Sequence, residues 1–172
     1  MFISKTFLLA ALAALKHTVH AAPASEVDNL VVIDTQDSPF GPLVIYGFAN
    51  ATTVATEDTS AAALNERACG SNDVTCDGGN VPNAPACANL IASLSANSGT
   101  GLGVSPRSIC QTTNGNTCCV SWHNPAPGLV ESMLIAGANA AYNGCVVHGL
   151  SGLTQNTVLN GVCTKQCLRV PA

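Results

Sequence analysis

Nine cysteines crowd into residues 69–167 of this 172-residue chain, and none precedes them. No other feature constrains the fold as much. A small domain with a thin core gains from covalent staples, and thiols pair when a chain matures in an oxidising compartment. The disulfide candidates are Cys69, Cys76, Cys87, Cys110, Cys118, Cys119, Cys145, Cys163 and Cys167. An odd number leaves at least one thiol unpaired or joined to another chain. Four bridges among nine cysteines can be drawn in roughly 9 × 105 ways, so connectivity stays open at this level.

The start of the chain supplies the compartment. Lys5 is followed by an apolar run from Phe7 to Leu15, which Lys16 interrupts, and Val19-His20-Ala21 fits a signal-peptidase site. Residues 1–21 therefore read as a signal peptide cut after Ala21. The run is too short to span a bilayer, and no later stretch approaches ~20 apolar residues, so no transmembrane segment is expected. The product is expected to be secreted and extracellular, with the cell wall as one possible place of retention.

Residues 22–67 form a distinct block. They hold Glu26, Asp28, Asp34, Asp37, Glu57, Asp58 and Glu66 against one base, Arg67. Two readings stand: an acidic propeptide processed at Arg67, or an N-terminal hairpin and linker that stays on the domain. Leu30 to Ile33 and Leu43 to Phe48 are strand-like, with Asp37-Ser38-Pro39-Phe40-Gly41-Pro42 as the turn between them. Asn50-Ala51-Thr52 is a glycosylation sequon, which makes Asn50 a candidate glycan site. Beyond Arg67, Asp73, Asp77 and Glu131 balance Arg107, Lys165 and Arg169. A neutral domain with three scattered bases lacks the electrostatic footprint of a nucleic-acid partner.

The cysteine-rich part, residues 68–172, reads as alternating elements. Asp73 to Asp77 is a short strand. Asn83 can cap a helix starting near Pro85, and Cys87, Leu90, Ile91 and Leu94 form one apolar stripe. Arg107 to Thr113 and Thr117 to His123 flank Asn114-Gly115-Asn116, a strong hairpin signal. Leu129 to Tyr142 reads as a second helix stopped by Asn143-Gly144. Thr157 to Lys165 reads as the last strand, with Leu159 and Cys163 on one face. The expected fold is α+β: a disulfide-stapled split βαβ (β-α-β-β-α-β), with an antiparallel sheet and two helices on one face. Trp122 and Tyr142 are the only aromatic residues after Arg67, so the bridges carry much of the stability.

Several runs together resemble a fungal secreted cysteine-rich family labelled "WD-like". They are Arg67-Ala68-Cys69-Gly70-Ser71-Asn72, Val74-Thr75-Cys76-Asp77-Gly78, Ser105-Pro106-Arg107-Ser108-Ile109-Cys110, Cys118-Cys119-Val120-Ser121-Trp122, Gly149-Leu150-Ser151-Gly152-Leu153, and Gly161-Val162-Cys163-Thr164-Lys165-Gln166-Cys167-Leu168. The label does not imply a WD40 propeller, whose ~40-residue repeats cannot fit in one short domain. The resemblance implies a basic processing site before the first cysteine, which matches Arg67. It also implies a further cysteine near the C-terminus. This chain departs there, which would account for the odd count. A more distant similarity, of fold alone, is to fungal killer toxins and necrosis-inducing-type effectors.

Candidate chemistry is sparse. His123 and His148 are the only histidines of the domain, and with cysteines nearby a zinc site is conceivable, but oxidised cysteines do not ligate metal. Ser121, His123 and Asp77 can be drawn as a triad, yet no Gly-x-Ser-x-Gly elbow surrounds Ser121. Asp73, Asp77 and Glu131 are the whole stock for paired-carboxylate glycoside hydrolysis. The adjacent pair Cys118-Cys119 resembles hydrophobins, which carry two such pairs where this chain has one. No catalytic residue, metal or cofactor is expected. The expectation is a secreted, non-enzymatic protein, effector- or toxin-like, that binds an extracellular protein or cell-wall component of a host or competitor. The alternative is a structural or surface-active wall protein, with a secreted hydrolase third.

Overall fold

The computed structural model describes residues 30–48, 69–103 and 106–171. The expected signal peptide with its cut at Ala21, the sequon at Asn50 and the processing point at Arg67 lie outside the described residues.

Among the described residues, seven strands and two α-helices follow in the order β1 (Leu30–Gln36), β2 (Leu43–Phe48), β3 (Asp73–Asp77), α1 (Ala84–Ala96), β4 (Pro106–Thr113), β5 (Asn116–Trp122), α2 (Ile135–Gly144), β6 (Ser151–Leu159) and β7 (Val162–Arg169). All strands join one sheet in the order β1-β2-β4-β5-β7-β6-β3, and every neighbouring pair is antiparallel. Both helices pack on the same face, α1 over β4 and β5, α2 over β3, β6 and β7. The expected α+β class, with an antiparallel sheet carrying two helices on one side, is what the chain forms. None of the helices among the described residues is long and apolar enough to cross a membrane.

Local chemistry explains the elements. Asn83 caps α1, its Oδ1 accepting from the Ala86 amide at 3.1 Å, and Pro85 sits in the first turn, where its missing N–H costs nothing. The stripe of Cys87, Leu90, Ile91 and Leu94 is buried, as its spacing requires. A short 3₁₀ turn at Glu131–Leu134 leads into α2, which turns Gly137, Ala138 and Ala141 inward. Those small residues let the helix approach the sheet closely. The core between the layers is built from Leu43, Ile45, Ile109, Val120, Trp122, Leu159 and Leu168 on the sheet, meeting Leu90, Leu94 and Leu134.

Two expectations need correction. The last strand is not Thr157 to Lys165: that span is the centre of a hairpin. Asn160 (φ 45°) and Gly161 (φ 83°) both take left-handed backbone and form the two-residue turn between β6 and β7. Asn-Gly favours this conformation for the reason that operates at Asn114 (φ 51°) and Gly115 (φ 77°). Consequently Leu159 and Cys163 do not share a face. Leu159 pairs with Val162 on the helix side, and Cys163 pairs with Val158 on the other. The sheet has seven strands where four were expected, because β1 and β2 extend it and the span expected as one last strand belongs to both β6 and β7. β2 pairs with β4 and buries Leu43 and Ile45 completely.

Four disulfides brace the sheet and helices: Cys69–Cys163, Cys76–Cys145, Cys87–Cys118 and Cys110–Cys119. Two tie helix to sheet, from α1 to β5 and from β3 to the end of α2. Cys167 is the free thiol.

Candidate functional site

Among the described residues, no layer covers the face of the sheet opposite the helices. Strand register places its side chains in rows. One row runs Tyr46, Ser108, Ser121, Cys167, Leu153 across β2, β4, β5, β7 and β6. The next runs Val44, Cys110, Cys119, Arg169. Neighbours within a row stand about 5 Å apart, the spacing of paired strands. Between these rows and the C-terminal residues lies a hollow of about 200 Å³ lined by Leu30, Tyr46, Ser108, Cys110, Cys119, Ser121, Arg169, Val170 and Pro171. Its volume is below that of a drug-sized pocket and suits one small moiety.

The Cys110–Cys119 bridge forms the floor. It joins directly opposed residues of β4 and β5, so the strands under the hollow cannot part. The Ser108 hydroxyl donates to the Val120 carbonyl at 3.3 Å and lies 3.8 Å from Cys110 Sγ. Arg169 supplies the charge. Among the described residues no carboxylate pairs with it. Asp73 and Asp77 sit on β3 at the far edge of the sheet, and Glu131 lies in the helical layer. Lys165 projects from the same face of β7 by strand alternation. Among the described residues the bases of this face thus stand on β7 and its acids on the β3 edge. Burial pushes the Cys167 thiol up, while Arg169 and Lys165 pull it back, so the group stays protonated at neutral pH. A half-buried guanidinium beside hydroxyls and an aromatic ring can orient a carboxylate or a hydroxylated ring through directed hydrogen bonds.

The other candidates fall apart in space. Ser121 and His123 are both carried on β5 or its end, but Asp77 lies on β3, three strand spacings or about 14 Å away. No triad assembles. Asp77 Oδ1 accepts from the Gly79 amide at 2.5 Å, the work of a turn residue. Asp73 accepts from the Ser71 hydroxyl at 2.7 Å and the Asn156 amide at 2.8 Å, which holds its carboxyl below the usual range. Neither acid faces Glu131 across a cleft. Among the described residues no three His, Cys, Asp or Glu side chains gather as metal ligands. His148 ends a 3₁₀ turn after α2, whereas His123 follows β5. Sequence reasoning missed Tyr46, Ser108 and Arg169. The signal that could have found them is strand alternation, which needs the register to be useful.

Glu131 is the most perturbed group. Its side chain is fully buried, neither oxygen makes a well-formed hydrogen bond, and burial raises its pKa to about 7 from an ordinary 4.5, with the Asn97 side chain pulling the other way. The folded protein thus holds a proton that the unfolded chain releases near pH 4.5. The stabilisation is complete below pH 4.5 and is lost as pH rises through 7. Glu131→Gln is expected to flatten this dependence and to raise stability at pH 8 by about 1–3 kcal/mol. Denaturant unfolding of both proteins at pH 4.5 and pH 8 checks it; equal slopes against pH would show that Glu131 ionises freely.

No curated protein and no solved structure matches this chain. The family model described as "Fungal WD-like" matches residues 47–171, from the end of β2 to two residues past β7, and the chain belongs to that family.

Proposed function

We propose that this member of the fungal WD-like family is a secreted, non-enzymatic protein that acts outside the cell, binding a component of a host or competitor in the manner of an effector or toxin. The observation that carries the reading is Arg169, a cation with no acid partner among the described residues, set over a disulfide-clamped floor. A rigid surface loses little conformational freedom on binding, which favours recognition. The leader at residues 1–21 and the cysteine density support export.

A second reading, a surface-active wall protein, draws on Val31, Val32, Ile33 and Phe40, each more than a third exposed on the β1–β2 hairpin. One experiment separates the two. Labelled protein is applied to plant cells and competing fungi, and to isolated wall and air–water films. Saturable retention on cells, cut at least tenfold by Arg169→Glu with thermal stability unchanged, is the expected result. Retention in walls or films that Arg169→Glu leaves intact would overturn the first reading and favour the second.

A further inference from the structure

The β1–β2 hairpin stands outside the covalent frame that holds the rest of the sheet. Every disulfide lies between Cys69 and Cys163, and residues 30–48 contain no cysteine. The family model begins at residue 47, so it leaves out all of β1 and most of β2. Yet the hairpin has a built seat on the stapled unit. β2 lies against the edge of β4, and Leu43 and Ile45 are wholly buried in the core that Leu90 and Leu94 of α1 also enter. The turn is read by buried polar groups. Gln111 on β4, itself fully buried, donates through Nε2 to Ser38 Oγ at 2.8 Å and to the Gly41 carbonyl at 2.8 Å. The same amide reaches Ser93 Oγ on α1 at 3.0 Å, and Asn97 Nδ2 donates to the Asp37 carbonyl at 3.0 Å. Main-chain ladder, two apolar sockets and side chains aimed at carbonyls are the features by which a sheet edge recognises an added strand.

We propose that the groove between the β4 edge and α1 is a strand-acceptor site. The hairpin fills it within one molecule. Once the chain is cut between residues 48 and 69, an extended segment from a partner, with apolar residues at the Leu43 and Ile45 spacing, replaces it. Processing at Arg67 would then yield a two-chain protein with an exchangeable strand rather than a shed propeptide. The hairpin lends Leu30 and Tyr46 to the wall of the Arg169 hollow, but the acceptor groups Gln111 and Asn97 do not line it, so Gln111→Ala alters the acceptor alone and Arg169→Glu the hollow alone.

The test cuts the folded full-length protein within residues 49–68, with trypsin at Arg67 or at an inserted site-specific sequence, and adds a fluorescent peptide of residues 30–48. The hairpin is expected to co-elute with the stapled unit after cutting and then to exchange with the labelled peptide. A peptide carrying Ile45→Asp should bind at least tenfold more weakly. Gln111→Ala in the acceptor should also weaken capture about tenfold, with intact mass reporting four bridges still formed. Three results would overturn the proposal: no exchange until the whole protein unfolds, loss of near-ultraviolet dichroism when the hairpin leaves, or equal capture of the Ile45→Asp peptide.

Discussion

Replacing Cys87 and Cys118 together by alanine is expected to lower the unfolding free energy by about 4 kcal/mol. The bridge closes a span of 31 residues, and loop-closure entropy alone gives nearly that figure. Both cysteines are fully buried and tie α1 to β5 at the centre of the core, so removing the sulfurs also leaves a small cavity. The Cys110–Cys119 pair is the comparison. It spans only 9 residues, and the Asn114–Gly115 turn already brings its ends together. Its double alanine variant is expected to lose about 2 kcal/mol or less. Guanidinium unfolding of the two variants beside the parent protein measures both. Equal losses would mean that the bridges do not act through chain closure.

The second large effect is expected at Gly152. A methyl group there would stand 2.7 Å from Ala141 Cβ and 3.0 Å from its Cα, a contact that the backbone of α2 cannot relieve by rotating a side chain. Gly152→Ala should therefore destabilise the protein by about 2–3 kcal/mol through overpacking. Gly137→Ala is a closer contest. Alanine favours a helix by up to about 1 kcal/mol over glycine. Against that, the new carbon would lie 3.0 Å from Gln166 Cδ and from Thr157 Oγ1. Gln166 is buried and committed, its Nε2 donating to the Leu134 carbonyl at 2.7 Å, so it cannot swing aside freely. A net loss of about 1–2 kcal/mol is expected. Gly78→Ala, with nothing within 4 Å, should change stability by less than about 0.5 kcal/mol. Thermal and denaturant midpoints for the three variants check the ranking, and a neutral Gly152→Ala would show that α2 does not press on β6.

How much of this was legible in the chain depends on the range of the interaction involved. The Asn83 cap and the stripe from Cys87 to Leu94 are local, three or four residues deep, and the helix follows from them. The hairpin at Asn114–Gly115 is equally local. The second Asn-Gly, at residues 160–161, carries the same instruction, but the apolar residues on both sides of it read as one continuous strand. The Tyr46, Ser108, Ser121 row joins residues from three strands, two of them far apart in the chain, and one of those strands lies in a block that reads as removable. Glu131 was visible as an acid near a helix start; its burial was not.

By itself the sequence determines an α+β unit with helices at α1 and α2, the hairpin turn at Asn114–Gly115, and cysteines enough to staple it. These rest on backbone preference and periodicity, which act over a few residues. The tertiary structure alone decides which cysteines meet, that β2 completes the sheet beside β4, and that Arg169 stands over the Cys110–Cys119 bridge away from every described acid. Those outcomes depend on strand order and register. A shift of one residue would turn each of these side chains to the opposite face, and only burial of the whole apolar face selects among the possible registers.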